Sequence, residues 1–430
     1  MVRVVLLLSL LLVGRLAARA QESSLTPSQE SPPSNYRGWV GDLDSNEFAV
    51  RQRATQRLLE GGEPAVEAIL ELAPLGSPEM HSRALAILES WLVSERPKRV
   101  RIASDGLERW ARSAPTPLAR QAEVLLEHAR ALREERAIER IRELGGRVEP
   151  DGETGRLAVK VGSWSGDADD FASIRDLRSI ARISLEESEL DDTALKHLRG
   201  RAELKRLYLG GSRITGFGFK ELQGLENLMH LSLKNLPVDD ARLKSLPDLP
   251  NLRGLGLDGT KIGDGGLADL KRFPRLETLW LEGTQITDTG LAELQSLAEL
   301  RTLYLANTRA TGAGLQALAK APSLRYLSLM GAQLQPETCQ YLGQIQQLET
   351  LGLDSSTITD EQLADLATLG KLRVLWLSKT ELTDAAIEPL SNLKALSNLY
   401  LTGSRLSTAG LNRLRQKLPN CDVIFEEPEK

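Results

Sequence analysis

Leucine recurs along this chain with a period of 24 residues, at Leu204, Leu228, Leu252, Leu276, Leu300, Leu324, Leu348, Leu372 and Leu396. The positions three and five residues further on are leucine in every unit, as in Leu207 and Leu209 or Leu279 and Leu281. In an extended segment residues two apart share a face, so each leucine pair turns into a core. In the unit from Leu276, Thr278, Trp280 and Glu282 then point the other way. Thr284 and Ile286 turn the chain, Thr287 or Asp288 caps a helix, and Leu291, Leu294 and Leu297 give that helix an inward face. The pattern predicts one parallel strand, a turn and a helix per unit. A single unit cannot close its core, but stacked units can.

Before the repeats the spacing is helical. Val50, Ala54 and Leu58 recur every four residues, Gly61-Gly62 stops the helix, and Pro64 opens the next. Further apolar faces run through Leu85, Leu88, Trp91 and Leu92, and through Leu118, Ala122, Leu125, Ala129 and Leu132. Trp39, Trp91 and Trp110 are expected in the core of this region. The charged run Arg133–Arg136 interrupts the last face, and a separate short stripe at Ile138, Ile141 and Leu144 is expected to enter the repeats. Arg147 to Glu149 and Leu157 to Val161 suit short strands capping the array.

The repeat resembles the leucine-rich repeat, LxxLxLxx(T/S), in its 24-residue form. The resemblance covers about ten units from Ile180 to Leu414, counting a degenerate one at Ile180, Ile183 and Leu185. It implies an α/β solenoid, an arc with parallel strands on the concave side and helices on the convex side, and the helical spacing before it adds a small all-α domain in front. The asparagine usual after the strand is replaced by a hydroxyl, for example Ser212, Thr260, Thr284 and Thr380. Such a hydroxyl can still bond neighbouring backbone. The Leu236-Pro237 and Gln335-Pro336 steps depart from the pattern and require a remodelled turn. The helical segment from Phe48 is similar to HEAT-like helix pairs. The whole layout is similar to exported bacterial leucine-rich repeat proteins of the planctomycete type, with T-D-x-G-L in the repeats and a Leu418-Pro419-Asn420-Cys421 ending.

A longer period lies under the shorter one. The residue between the paired leucines reads Tyr208, Ser232, Gly256, Trp280, Tyr304, Ser328, Gly352, Trp376 and Tyr400, repeating every four units. Asp258 and Asp354 match across it, as do Arg213, Arg309 and Arg405. A 96-residue block, starting equivalently at Leu204 and Leu300, has been duplicated. Adjacent parallel strands lie about 4.8 Å apart, which makes Trp280 and Tyr304 neighbours, and likewise Trp376 and Tyr400. The outward column, Tyr208, Asp258, Trp280, Glu282, Tyr304, Tyr326, Asp354, Trp376 and Tyr400, is the candidate binding surface, in two equivalent sub-sites. An unselected surface pattern copied by duplication is the competing explanation.

The formal net charge of −5 and the absence of a basic stripe in the repeats argue against a nucleic-acid partner. The densest basic run, Arg96–Arg101, is expected as a solvated connector. The four histidines are scattered, and no P-loop, nucleophile elbow or HExxH pattern occurs, so a non-enzyme without cofactor or metal is expected. Cys339 occupies a leucine position and suits a small buried residue; Cys421 is too distant to bridge to it. Arg3, the apolar run Val4–Val13 and Ala18-Arg19-Ala20 match a secretory signal, with an uncleaved anchor as the alternative.

The expected layout is a signal peptide at 1–20, a disordered linker at 21–35 and a HEAT-like all-α domain at 36–132. A connecting helix and cap follow at 133–179, the repeats at 180–414, and a C-terminal cap and tail at 415–430. The expected function is an exported protein-interaction scaffold, periplasmic or extracellular, whose concave face takes a protein partner. Glycan or envelope-polymer binding through the aromatic pairs is the alternative, and no membrane span is expected after signal cleavage.

Overall fold

The computed structural model describes residues 35–94, 96–113 and 116–426. The expected signal peptide, and the linker up to residue 34, lie outside the described residues. Two compact units divide between Ala129 and Arg130.

The first unit is helical: Tyr36–Asp42, Phe48–Glu60, Glu63–Leu72, Pro78–Leu92 and Pro97–Ala111, with the N-terminal part of Pro117–Glu143. Gly61 ends the second helix, and Pro64 and Pro78 sit in first turns, where a missing N–H costs nothing. Leu58, Ile69, Leu88, Trp91 and Leu107 fill the core. Trp110 is buried too, its indole N–H donating to the Leu70 carbonyl at 3.1 Å, whereas Trp39 stays half-buried under the Arg57 guanidinium. The basic run is not a connector. From Pro97 it is helix, Arg99 lies 4.2 Å over the Trp91 ring, and Lys98 pairs with Glu63 at 2.6 Å. The arginine stem covers an aromatic face that water would otherwise meet. The break expected at Arg133–Arg136 is also absent, since one helix spans Pro117–Glu143. Arg and Glu are good helix formers, and Ala137 and Ile141 resume burial beyond them.

The second unit is built on a sheet of thirteen strands in chain order. It opens with an antiparallel hairpin, Arg147–Pro150 against Leu157–Lys160, and every later strand adds in parallel. Register is kept unit by unit: Leu207 pairs with Leu231, Leu231 with Leu255, and Leu255 with Leu279. The three leucines of each unit are buried in one continuous core. This is the leucine-rich-repeat solenoid, with Thr408–Lys417 and the strand Asp422–Ile424 closing its far end.

After each of the ten strands from Ile180–Ser184 to Asn398–Tyr400 the chain passes through a left-handed residue, at Glu187, Gly211, Asn235, Gly259, Gly283, Asn307, Gly331, Ser355, Lys379 and Gly403. Glycine or asparagine fills most of these because a side chain there crowds the following carbonyl. The next position holds the hydroxyl column. Thr260, Thr284 and Thr380 donate to the carbonyl three residues back, at 2.6 to 2.7 Å, within their own unit. At Leu236-Pro237, Leu236 and Val238 fill that space instead, and Asp239 caps Asp240–Lys244. At Gln335-Pro336 a fully buried Thr338 accepts the Gln335 N–H at 2.8 Å and bonds the Thr311 carbonyl. Cys339 is buried, which pushes its thiol up to about 12, and it is free, as is half-buried Cys421.

The helical segments are shorter than expected. The unit from Leu276 has a four-residue α-helix, Asp288–Leu291, followed by 3-10 helix at Ala292–Ser296, with Leu297 beyond it. The cause is the leucine spacing. Inward residues three apart, such as Leu291, Leu294 and Leu297, align on a helix of three residues per turn. Only the closing unit changes to Leu411, Leu414 and Leu418, and there a ten-residue α-helix forms.

Candidate functional site

The outward-facing columns of the strands meet on the sheet surface, one row per unit. Parallel register sets Tyr208 beside Ser232, Ser232 beside Gly256, Gly256 beside Trp280 and Trp280 beside Tyr304. Trp280 and Tyr304 stack with ring centroids 5.9 Å apart and planes 9° from parallel, and Tyr304 continues to Tyr326 at 5.0 Å, tilted by 45°. Trp376 and Tyr400 stack at 4.0 Å and 10°, and Trp376 is 36% exposed. All five aromatics named from the sequence between Trp280 and Tyr400 therefore belong to two stacked groups. Tyr208 stands apart, three strands before Trp280.

Between Tyr208 and Trp280 one strand carries glycine at both outward positions, Gly254 and Gly256, both buried beneath their neighbours, and a depression of about 530 Å³ lies over this part of the face. A Cβ on Gly254 would lie 2.5 Å from His230 Nδ1 and 3.3 Å from Trp280 Cζ3, so both rings lean over the missing side chain. Asp258, Glu282 and Lys234 line one edge with Glu186. Asp258 Oδ1 accepts the Glu282 backbone N–H at 3.1 Å, which fixes the carboxylate at the rim. Burial pushes Asp258 up from the ordinary carboxylate value, against that bond and Lys234. Burial, then the Asp258 charge, pushes Glu282 up as well. His230 is pushed down by burial and by Arg206, so its imidazole is neutral near pH 7.

The second block repeats the rows but not the opening. Tyr326 stands where the first block has His230, Thr350 where it has Gly254, Met330 where it has Lys234 and Ser378 where it has Glu282. Tyr326 leans on Tyr304, and burial and that neighbour push its hydroxyl up to about 12. Asp354 keeps the rim geometry, accepting the Ser378 N–H at 2.8 Å, and is buried. Exposed Met330 and Trp376 make this half the more apolar one. The duplication thus carries the aromatic and aspartate columns across, while the column before the inward leucine has diverged. Of that column sequence reasoning named Tyr326 alone as a candidate and missed the pairing of His230 with Tyr326 and of Gly254 with Thr350, although both show the same 96-residue offset.

No group of three or more His, Cys, Asp or Glu side chains among the described residues is placed to hold a metal ion, and no described helix is long and apolar enough to cross a membrane. No protein-family model and no curated protein matches the chain. Among solved structures it is similar to an internalin from Listeria monocytogenes, at 17% identity over 69% of this chain and 95% of that one, TM-score 0.40. It is similar to a leucine-rich repeat protein of Leptospira interrogans, at 20% identity over 59% and 80%, TM-score 0.34. A chain of the mouse RP105/MD-1 complex matches at 22% identity over 56% and 42%, TM-score 0.41. The register of its own thirteen strands, with the leucine triplets buried in every unit, gives this chain the leucine-rich-repeat fold.

Proposed function

We propose that this protein is an exported interaction scaffold, without catalytic activity, that holds a protein partner on the strand face of its repeats. The observation that carries the reading is the stacked aromatics on that face, with Trp376 left 36% exposed beside Tyr400. Rigid aromatic rings on a fixed sheet offer large contact area at little entropic cost, which suits them as anchors. Strands locked by register cannot rearrange, so recognition here works by shape and by anchor. Stacking also covers one face of each ring in a pair. That favours a protein surface packing on the group over a sugar laid flat on a lone ring.

Export to the periplasm or the exterior is the part of the proposal that rests on residues 1–20, and it predicts a mature chain beginning at Gln21. The likeness to planctomycete-type exported proteins and to HEAT-like helix pairs belongs to the same reading, with the helical unit as a second surface.

Affinity capture from the cell envelope with the full chain and with a Trp376→Ala, Tyr400→Ala variant tests the reading. The expected result is one protein retained by the wild type and lost, by about tenfold or more in affinity, by the variant with unchanged circular dichroism. A glycan array bound through the same two residues, with no protein retained, decides for the carbohydrate alternative and against the protein reading.

A further inference from the structure

We infer that the depression between Tyr208 and Trp280 is a receptor for one arginine side chain of a protein partner, and that duplication has left only one such receptor. The inference rests on the proposed strand-face binding and names the chemistry of one part of it.

Shape gives the first argument. The floor strand carries no outward side chain, at Gly254 and Gly256, and the walls are aromatic. Such a slot accepts a flat group that can lie against an indole face. Guanidinium is planar, weakly hydrated and attracted to the π face of tryptophan, whereas ammonium is compact and strongly hydrated.

Charge gives the second. Glu186, Asp258 and Glu282 face the opening against Lys234 alone, so the rim carries a formal −2. None of these three carboxylates has a Lys or Arg partner within ion-pair distance among the described residues, although other acidic groups of the same unit are paired, as Glu277 is with Arg253. Asp258 and Glu282 each sit two residues beyond the end of adjacent strands, Gly254–Gly256 and Thr278–Trp280, and the strand spacing of about 4.8 Å is one that the forked donors of one guanidinium can span. His230 adds no positive charge near neutral pH to oppose the ligand. Burial pushes both rim carboxyls up, with the Asp258 charge adding to it at Glu282, and an incoming cation would oppose that shift.

The duplicated block supplies an internal control. Tyr326 occupies the equivalent space, Thr350 restores one side chain to the floor, and Met330 and Ser378 remove one positive and one negative charge from the edge, so the two blocks differ in shape and charge placement while the net rim charge is unchanged.

Titration of the full chain with acetyl-arginine amide tests the inference, read from the indole N–H resonances of Trp280 and Trp376, each assigned by its loss in the Phe variant. Citrulline amide serves as the uncharged twin, and acetyl-lysine amide, acetylated at its α-amino group, as the ammonium. A saturable shift of Trp280 with arginine is expected, about tenfold weaker with citrulline and with lysine, and little movement of Trp376. Asp258→Asn with Glu282→Gln should lower the arginine affinity about tenfold while the backbone spectrum persists, because Asn keeps the acceptor for the Glu282 N–H. A second variant gains the site: Tyr326→His, Met330→Lys, Thr350→Gly and Ser378→Glu together should make Trp376 respond. Equal response to citrulline or lysine, or no effect of the carboxylate variants, overturns the inference. A silent Trp280 beside an envelope partner still captured through Trp376 and Tyr400 overturns it too, and leaves the scaffold reading standing.

Discussion

At the scale of single residues, the strand face trades stability for charge. Asp354 is buried, and burial pushes its carboxyl up from 3.8, with the Ser378 N–H bond pulling the other way. The folded protein thus holds this proton more tightly than the unfolded chain does. Its contribution favours folding below the unfolded value of 3.8 and is lost as the pH climbs through the raised folded value. At neutral pH the ionised carboxylate is a net burden. Asp354→Asn keeps an oxygen for the Ser378 N–H and removes the charge. Its unfolding midpoint in urea is expected above that of the wild type at pH 7, with the gain shrinking to nothing below about pH 3.8. A gain that persists at low pH would place the effect in packing instead of charge. That a residue destabilising to the fold sits in the same column as Asp258 fits a surface kept for binding.

At the scale of the repeat, the Thr-Asp pairs have a role that capping alone does not describe. The threonine does cap: Thr287 Oγ1 accepts the Thr289 N–H at 3.2 Å. The aspartate instead reaches into the next unit. Asp264 accepts both the N–H of Thr287, at 2.8 Å, and its hydroxyl, at 2.6 Å, and Asp360 and Asp384 do the same for Thr383 and Ser407. The glycine of T-D-x-G-L exists for this bracket, because a Cβ on Gly290 would fall 2.4 Å from Asp264 Oδ1. Asp264→Ala leaves the Thr287 N–H and hydroxyl without their acceptor and is expected to cost about 1–3 kcal/mol in chemical unfolding. A comparable loss from Thr287→Ala, and little further loss on combining the two, would mark one coupled interaction. Strands, register and outward columns were legible in the sequence because a period of two leaves no freedom about which face turns inward. The bracket was not, since both partners of each contact lie in different units and the motif shows only one. The 3-10 geometry had a visible signal, the spacing of three between inward leucines, which an expectation of α-helix overrode.

At the scale of the molecule, the two edges of the stack are held differently. The sheet edge is uniform, each unit adding one strand in the same register, so it offers no weak joint. The bracket edge follows the 96-residue block. The bracketing position is Asp240, Asp264 and Asp288 in the first block but Gly216 before them, and Asp360 and Asp384 in the second but Gly312 and Pro336 before them. Across Gly312 and Pro336 the charged acceptor is replaced by neutral bonds, from Thr338 to the Thr311 carbonyl and from Gln362 Nε2 to the Gln335 carbonyl at 2.9 Å. Neutral hydrogen bonds are weaker than those to a carboxylate, and in a solenoid each unit is stabilised only by its neighbours. The joint at 312–336 is therefore the place where cooperativity should fail first. Native-state hydrogen exchange followed peptide by peptide is expected to separate strand amides before 312 from those after 336 into two groups with distinct opening free energies. One common opening for all repeats would mean that the sheet edge alone carries the coupling. The joint falls between the open depression of the first block and the apolar shelf of the second, so a partner gripping both halves would bridge it. Binding across the face should then merge the two exchange groups, whereas a partner held by the Trp376 half alone should protect only the second.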